Sequence, residues 1–122
     1  FCCSPPDNLE IAIILAGFSQ GGAVAYQAAL TYHKPLAGLL AMSTYLATSG
    51  TIKLNKANEK LPVMIMHGSQ DPVVPETLGK SAKNFLFDNG YSCQYKTYVM
   101  PHSVCAAQID DISHWFNDLL RA

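Results

Sequence analysis

Residues Gly17-Phe18-Ser19-Gln20-Gly21-Gly22 constrain this 122-residue chain more than any other stretch. An apolar run, Ile11 to Ala16, enters them, and an alanine-rich run, Ala23 to Leu30, leaves them. That pattern predicts a strand, a tight turn and then a helix. In a G-x-S-x-G turn the two glycines remove side chains that would clash between strand and helix, and the serine is held out at the tip in a strained conformation. The helix begins immediately after Ser19, so its free N–H groups and the positive end of its dipole point back at the hydroxyl. A glycine-rich turn of this kind also serves many α/β proteins as a plain connection, and only the rest of the chain separates the two roles.

Leu9 to Gly17 is apolar at nearly every position from Ile11, as expected of a parallel strand covered on both faces. Gln20 to His33 carries apolar residues around nearly its whole circumference, which predicts a largely buried helix ended by Pro35. Leu36 to Met42 is a second buried strand, and the polar stretch Ser43 to Leu61 is a surface connection with solvated lysines. Val63 to Met66 is a third strand, closing at His67-Gly68 and followed by the loop Gly68-Ser69-Gln70-Asp71-Pro72. Pro75 and Asn89-Gly90 bracket a helix over Glu76 to Asp88. Ser92 to Val99 supplies a fourth strand. The last helix, Ala106 to Arg121, is expected to place Ile109, Ile112, Phe116, Leu119 and Leu120 on its inner face. Strands alternating with helices predict an α/β fold, a mostly parallel sheet with helices on both faces.

With 49% hydrophobic and 14% charged residues the chain has the apolar content for one globular unit. A net charge of -1 without a Lys or Arg run offers no footprint for nucleic acid. The longest apolar segment, Ile11 to Phe18, is too short to span a bilayer, so no transmembrane segment is expected, and nothing ahead of it resembles a signal peptide. Cys2, Cys3, Cys93 and Cys105 show no zinc spacing and read as free thiols of a cytoplasmic protein, with Cys105 a small buried hydrophobe. The chain begins with Phe rather than Met, and Phe1 to Asn8 fits neither strand nor helix. Residues 1–10 are therefore an irregular lead-in, a remnant of something longer, and residues 11–122 a single partial domain.

Ser19, Asp71 and His102 each sit just after a predicted strand, and in such sheets ligand sites collect at the carboxyl ends of the strands. A serine hydroxyl needs an imidazole to take its proton, and the imidazole needs a carboxylate on its other nitrogen. The chain order Ser19, Asp71, His102 is that of α/β-hydrolases. Rivals are weaker on position. His67 precedes Gly68 and braces the turn, His33 lies at a helix end, and His114 faces outward. Asp110 and Asp111 follow the histidine, and Asp88 falls in the last turn of a helix. Tyr45-Leu46, after the second strand, are candidates to line an acyl pocket, a core or surface place being the alternative.

Three segments taken together, Gly17 to Ala23, His67 to Pro75 (HGSQDPVVP) and Pro101 to Cys105 (PHSVC), resemble the phospholipase/carboxylesterase family, which includes the acyl-protein thioesterases. The resemblance implies a compact α/β-hydrolase fold that cleaves small-molecule or lipid esters and thioesters without cofactor. It implies Ser19 as nucleophile, His102 as general base and Asp71 as the acid that orients it, with the N–H of Gln20 as one oxyanion-hole donor. It covers only the C-terminal half of the family's domain; the family's further strands and the His-Gly loop carrying the second oxyanion donor have no counterpart ahead of Ile11. The nucleophile strand is thus expected to be an open edge that calls for a complementing N-terminal half or a strand-paired homo-oligomer. The alternatives are a catalytically impaired half-domain and another α/β-hydrolase chemistry, such as a lactone or peptide hydrolase.

Overall fold

Five residues of the apolar run, Ile14–Phe18, form strand β1, and Gln20–Thr31 form helix α1. A computed structural model describes residues 13–121, so the predicted lead-in and the first residues of the predicted nucleophile strand lie outside the described residues. Gly38–Met42 form β2, Val63–Gly68 form β3, Glu76–Asp88 form α2, Cys93–Tyr98 form β4 and Ala106–Arg121 form α3. The four strands pair in parallel in the order β1-β2-β3-β4, with Phe18 opposite Met42 and Met42 opposite Met66. Among the described residues β1 has a partner on one side only.

Because side chains alternate along a strand, β2 and β3 feed two cores. Leu39, Ala41, Val63 and Ile65 pack under α1 and α2, against Ala25, Tyr26, Ala29, Leu30, Ala82 and Leu86. Leu40, Met64 and Met66 face the other way, against Trp115 of α3. Continuous apolar runs in the two middle strands follow from this double coverage.

The structure corrects the sequence on three helical points. α1 stops at Thr31, short of Pro35, because Tyr32 is already extended (φ -67°, ψ 143°). It is also not buried all round: Val24 is 64% exposed, since the sheet reaches one stripe of the helix. On α3 the inward stripe is centred on Trp115 and runs through Gln108, Ile112, Phe116 and Leu119, whereas Ile109 and Leu120 are each 57% exposed. At 100° per residue those two lie about 120° and about 140° round the helix from Trp115, a third of a turn or more away.

The polar connection after β2 is less peripheral than its composition suggests. A 3-10 turn, Lys56–Asn58, buries Asn58, whose Oδ1 accepts the Leu36 N–H at 2.8 Å and whose Nδ2 donates to the carbonyls of Lys34 (2.8 Å) and Tyr32 (3.2 Å). One amide thereby ties the α1–β2 link to the long connection. Cys93 and Cys105 are free and half-buried, so Cys105 is not the fully buried hydrophobe expected. Burial pushes the Cys93 thiol up to about 11, which keeps it protonated at neutral pH.

Candidate active site

Ser19 caps β1 with backbone angles of φ 56° and ψ -124°, a strained conformation for a residue with a side chain. It persists because both sides of the turn are anchored. The Ser19 N–H donates to the Met42 carbonyl at 2.9 Å, and the Thr44 hydroxyl donates to the Ser19 carbonyl at 2.5 Å. A Cβ on Gly17 would collide with the Gly21 carbonyl and lie 2.7 Å from the Gly22 nitrogen, so strand and helix meet only over a bare Cα. The second glycine required is Gly22, whose missing side chain admits Thr44; a Cβ on Gly21 would meet open space. This moves one of the expected roles from Gly21 to Gly22. Thr44 sits in the stretch that reads as a surface connection, yet it is buried.

These contacts predict very unequal effects of the same substitution at two glycines of the turn. Gly17→Ala drives a methyl into backbone and is expected to cost about 3 kcal/mol of stability. Gly21→Ala, inside α1 with space around it, is expected to change stability by less than about 1 kcal/mol. Urea unfolding of the two variants checks this; equal midpoints would overturn the packing account.

Asp71 lies three residues past the end of β3, its side chain fully buried. Its Oδ1 accepts the backbone N–H groups of Val73 and Val74, both at 2.8 Å. Burial by itself would raise the carboxyl's pKa, but hydrogen bonds from His102, Val74 and Val73 outweigh it and hold Asp71 below the usual carboxylate range. The loop after β3 is also stitched to the loop after β4. Ser69 N–H donates to Tyr98 O at 2.8 Å and Gln70 N–H to Met100 O at 3.1 Å. Gly68 lets this happen: a Cβ there would sit 2.5 Å from the carbonyl oxygens of Met100 and Pro101.

His102, four residues past β4, uses both ring nitrogens. Nδ1 is 2.7 Å from Asp71 Oδ2 and Nε2 is 2.9 Å from Ser19 Oγ. An ionised carboxylate only accepts, so Nδ1 carries the proton and Nε2 is left to accept from the serine hydroxyl. The Phe18 ring lies 4.8 Å from the imidazole, centroid to centroid, and shields it. Thus Ser19, Asp71 and His102, far apart in sequence, form one continuous hydrogen-bonded chain. Gln20 is the first residue of α1, so its N–H has no carbonyl one turn back to bond and lies beside the serine.

A match to the phospholipase/carboxylesterase family extends over residues 9–120, nearly the whole chain. The chain belongs to the phospholipase/carboxylesterase family. Acyl-protein thioesterase 1 of Gibberella zeae is 41% identical over 105 residues, covering 82% of this chain and 45% of that protein. A probable carboxylesterase of rice (Oryza sativa subsp. japonica) is 33% identical and covers 97% of this chain and 44% of its own length. Among solved structures, Arabidopsis thaliana SOBER1 superposes with a TM-score of 0.83 at 31% identity, over 88% of this chain and 52% of that one. This phospholipase/carboxylesterase chain therefore spans about half the length of the curated relatives it matches, and its fold is that part of an α/β-hydrolase.

The competing residues of this phospholipase/carboxylesterase chain fall elsewhere. His114 is exposed on α3 and bonds the Asp110 carbonyl at 2.8 Å. Asp111 accepts the Tyr98 hydroxyl at 2.6 Å, and Asp88 ends α2. His67 is fully buried behind the Asp71 loop. Tyr45 and Leu46 line a cavity of about 60 Å³ with Leu78, Ala82 and Phe85, too small for more than a water or two. Among the described residues no His/Cys/Asp/Glu group is arranged to hold a metal ion, and no helix is long and apolar enough to cross a membrane.

Proposed function

We propose that the chain carries the acyl-transfer centre of a serine carboxylic-ester hydrolase that takes esters or thioesters and works without cofactor. The observation that carries it is the two-sided bonding of His102, with Nε2 at 2.9 Å from Ser19 Oγ and Nδ1 at 2.7 Å from buried Asp71. As Ser19 Oγ attacks the acyl carbon, its proton passes to His102 Nε2, and Asp71 stabilises the imidazolium. The oxyanion develops beside the N–H of Gln20, at the positive end of α1. Collapse breaks the bond to the alcohol or thiol, which leaves with the proton held on Nε2, and the acyl group stays on Ser19. Water then repeats the cycle: His102 takes its proton, its oxygen attacks the acyl carbon, and the carboxylic acid is released with the proton returned to Ser19. Sequence kinship to acyl-protein thioesterases and a carboxylesterase supports the ester or thioester class over a lactone or peptide.

A second oxyanion donor is proposed to come from outside the described residues, from a segment that adds to β1. An apolar hollow of about 220 Å³ beside β1, lined by Ile13, Leu15, Ala28, Tyr32 and Leu36, supports such an addition. One donor missing costs about 10² to 10³ in kcat, so labelling and turnover should part company if no such segment is supplied.

The test is the reaction of Ser19 with a fluorophosphonate, followed by intact mass, beside hydrolysis of p-nitrophenyl esters of increasing chain length. Ser19-dependent labelling is expected, with a rate that is higher where His102 is neutral and can accept the serine proton than where it is already protonated. A flat profile from pH 5 to 8, or no labelling of folded protein, would overturn the proposal. Labelling without ester turnover would mean a competent triad that lacks its second donor.

A further inference from the structure

Behind the Asp71 loop lies a second histidine that the chemistry above does not use. His67 is the penultimate residue of β3, with its side chain fully buried. Its Nε2 lies 2.7 Å from the Val74 carbonyl oxygen, which can only accept, so Nε2 carries the proton and donates. The same nitrogen lies 3.8 Å from Asp71 Oδ2, beyond a hydrogen bond, with its N–H committed to Val74. Nδ1 has no partner among the described residues and abuts Gly79 of α2, where a Cβ would lie 2.7 Å away. A helix interior normally favours almost any residue over glycine; here the bare Cα makes room for the imidazole.

These contacts close a ring. Val74 gives its N–H to Asp71 Oδ1 and its carbonyl, one peptide unit further on, to His67, so the residue that orients the carboxylate is held through both of its backbone groups. We infer that His67 is a positioning residue: by holding the Val74 carbonyl it keeps the Val73–Val74 amides on Asp71 Oδ1 and so presents Oδ2 to His102. This rests on the proposed acyl-transfer role of Ser19 and His102. Without that grip the carboxylate can rotate, and misplacement by about 1 Å at such a centre costs about 10²-fold in rate.

The test compares wild type with His67→Leu, His67→Gln and Gly79→Ala, all in the full chain. Fluorophosphonate labelling of Ser19 should slow by about 10- to 100-fold in His67→Leu, and the midpoint of its pH profile should fall, because a loosened Asp71 stabilises the imidazolium of His102 less. His67→Gln keeps an N–H within reach of Val74 and should recover most of the rate and the original midpoint. Gly79→Ala leaves His67 in place but pushes the ring, and should shift the midpoint the same way as His67→Leu. A merely structural role would lower the yield of folded protein without moving the midpoint. The second readout needs no activity: amide exchange at Val73 and Val74 should quicken roughly tenfold or more in His67→Leu and Gly79→Ala, relative to amides within β3. If wild type is not labelled, the acyl-transfer proposal fails, and the exchange data alone judge His67. Unchanged exchange and profile in folded His67→Leu, or His67→Gln no better than His67→Leu, would overturn the inference.

Discussion

Ser19→Ala is expected to lower kcat by about 10⁶-fold where the whole domain is assembled, the scale on which loss of the nucleophile acts when the residues work as a unit. What remains should be the small contribution of an oxyanion site and bound water. The geometry makes this a clean test. The Ser19 hydroxyl meets His102 alone among the hydrogen-bonded side chains, while its backbone is held by Met42 and Thr44 through main-chain atoms that alanine retains. Alanine at φ 56° is strained much as serine is, so the variant should fold with nearly the same urea midpoint as wild type. Steady-state hydrolysis and intact-mass labelling, read beside that midpoint, decide the matter. Retained turnover in a folded Ser19→Ala protein would remove Ser19 from the reaction.

Asp71→Asn should cost about 10⁴-fold in kcat while leaving the loop in place. The reason is the pair of backbone donors on one carboxylate oxygen. Val73 and Val74 both point N–H groups at the Oδ1 position, so an asparagine must turn its carbonyl there and its NH₂ toward His102. Nδ1 then has to accept, the ring proton moves to Nε2, and Nε2 can no longer take the proton of Ser19. A loss of less than tenfold would show that the ring orients itself without the carboxylate.

The same substitution carries a stability signature with a definite sign. Asp71's carboxyl is held below its unfolded value because hydrogen bonds from His102, Val74 and Val73 outweigh the opposing effect of burial. The folded state therefore binds fewer protons than the unfolded state between the two values. Its stabilising contribution is complete above the unfolded pKa of about 3.9 and is lost as pH falls toward the folded one. Urea midpoints of wild type should drop on acidification from pH 6 to pH 3 more steeply than those of Asp71→Asn. Parallel slopes would show that this carboxylate is not the one that titrates.

Elements with their own punctuation are legible in the sequence. α2 spans Glu76–Asp88 as expected from Pro75 and Asn89-Gly90, and α3 spans Ala106–Arg121. The inward face of α3 was less so, because its stripe is set by Trp115 against Leu40, Met64 and Met66, partners that periodicity cannot name. The stretch Ser43 to Leu61 misled for a related reason. Its polar residues Thr44 and Asn58 look solvated in a one-dimensional pattern, yet both are buried, each satisfying backbone groups of a distant segment.

By itself the sequence determined the alternation of buried strands and helices, the sharp turn at Ser19 and the placing of Ser19, Asp71 and His102 after three different strands, since apolar runs, glycine pairs and prolines act locally. Only the tertiary structure decided that Gly22 and not Gly21 makes room for Thr44, that Phe18 covers His102, and that His67 grips the Val74 carbonyl behind Asp71. Each of these is a contact between residues whose separation in space follows from strand register and helix packing. Such distances come from the summed packing of the whole sheet, and no local pattern encodes them.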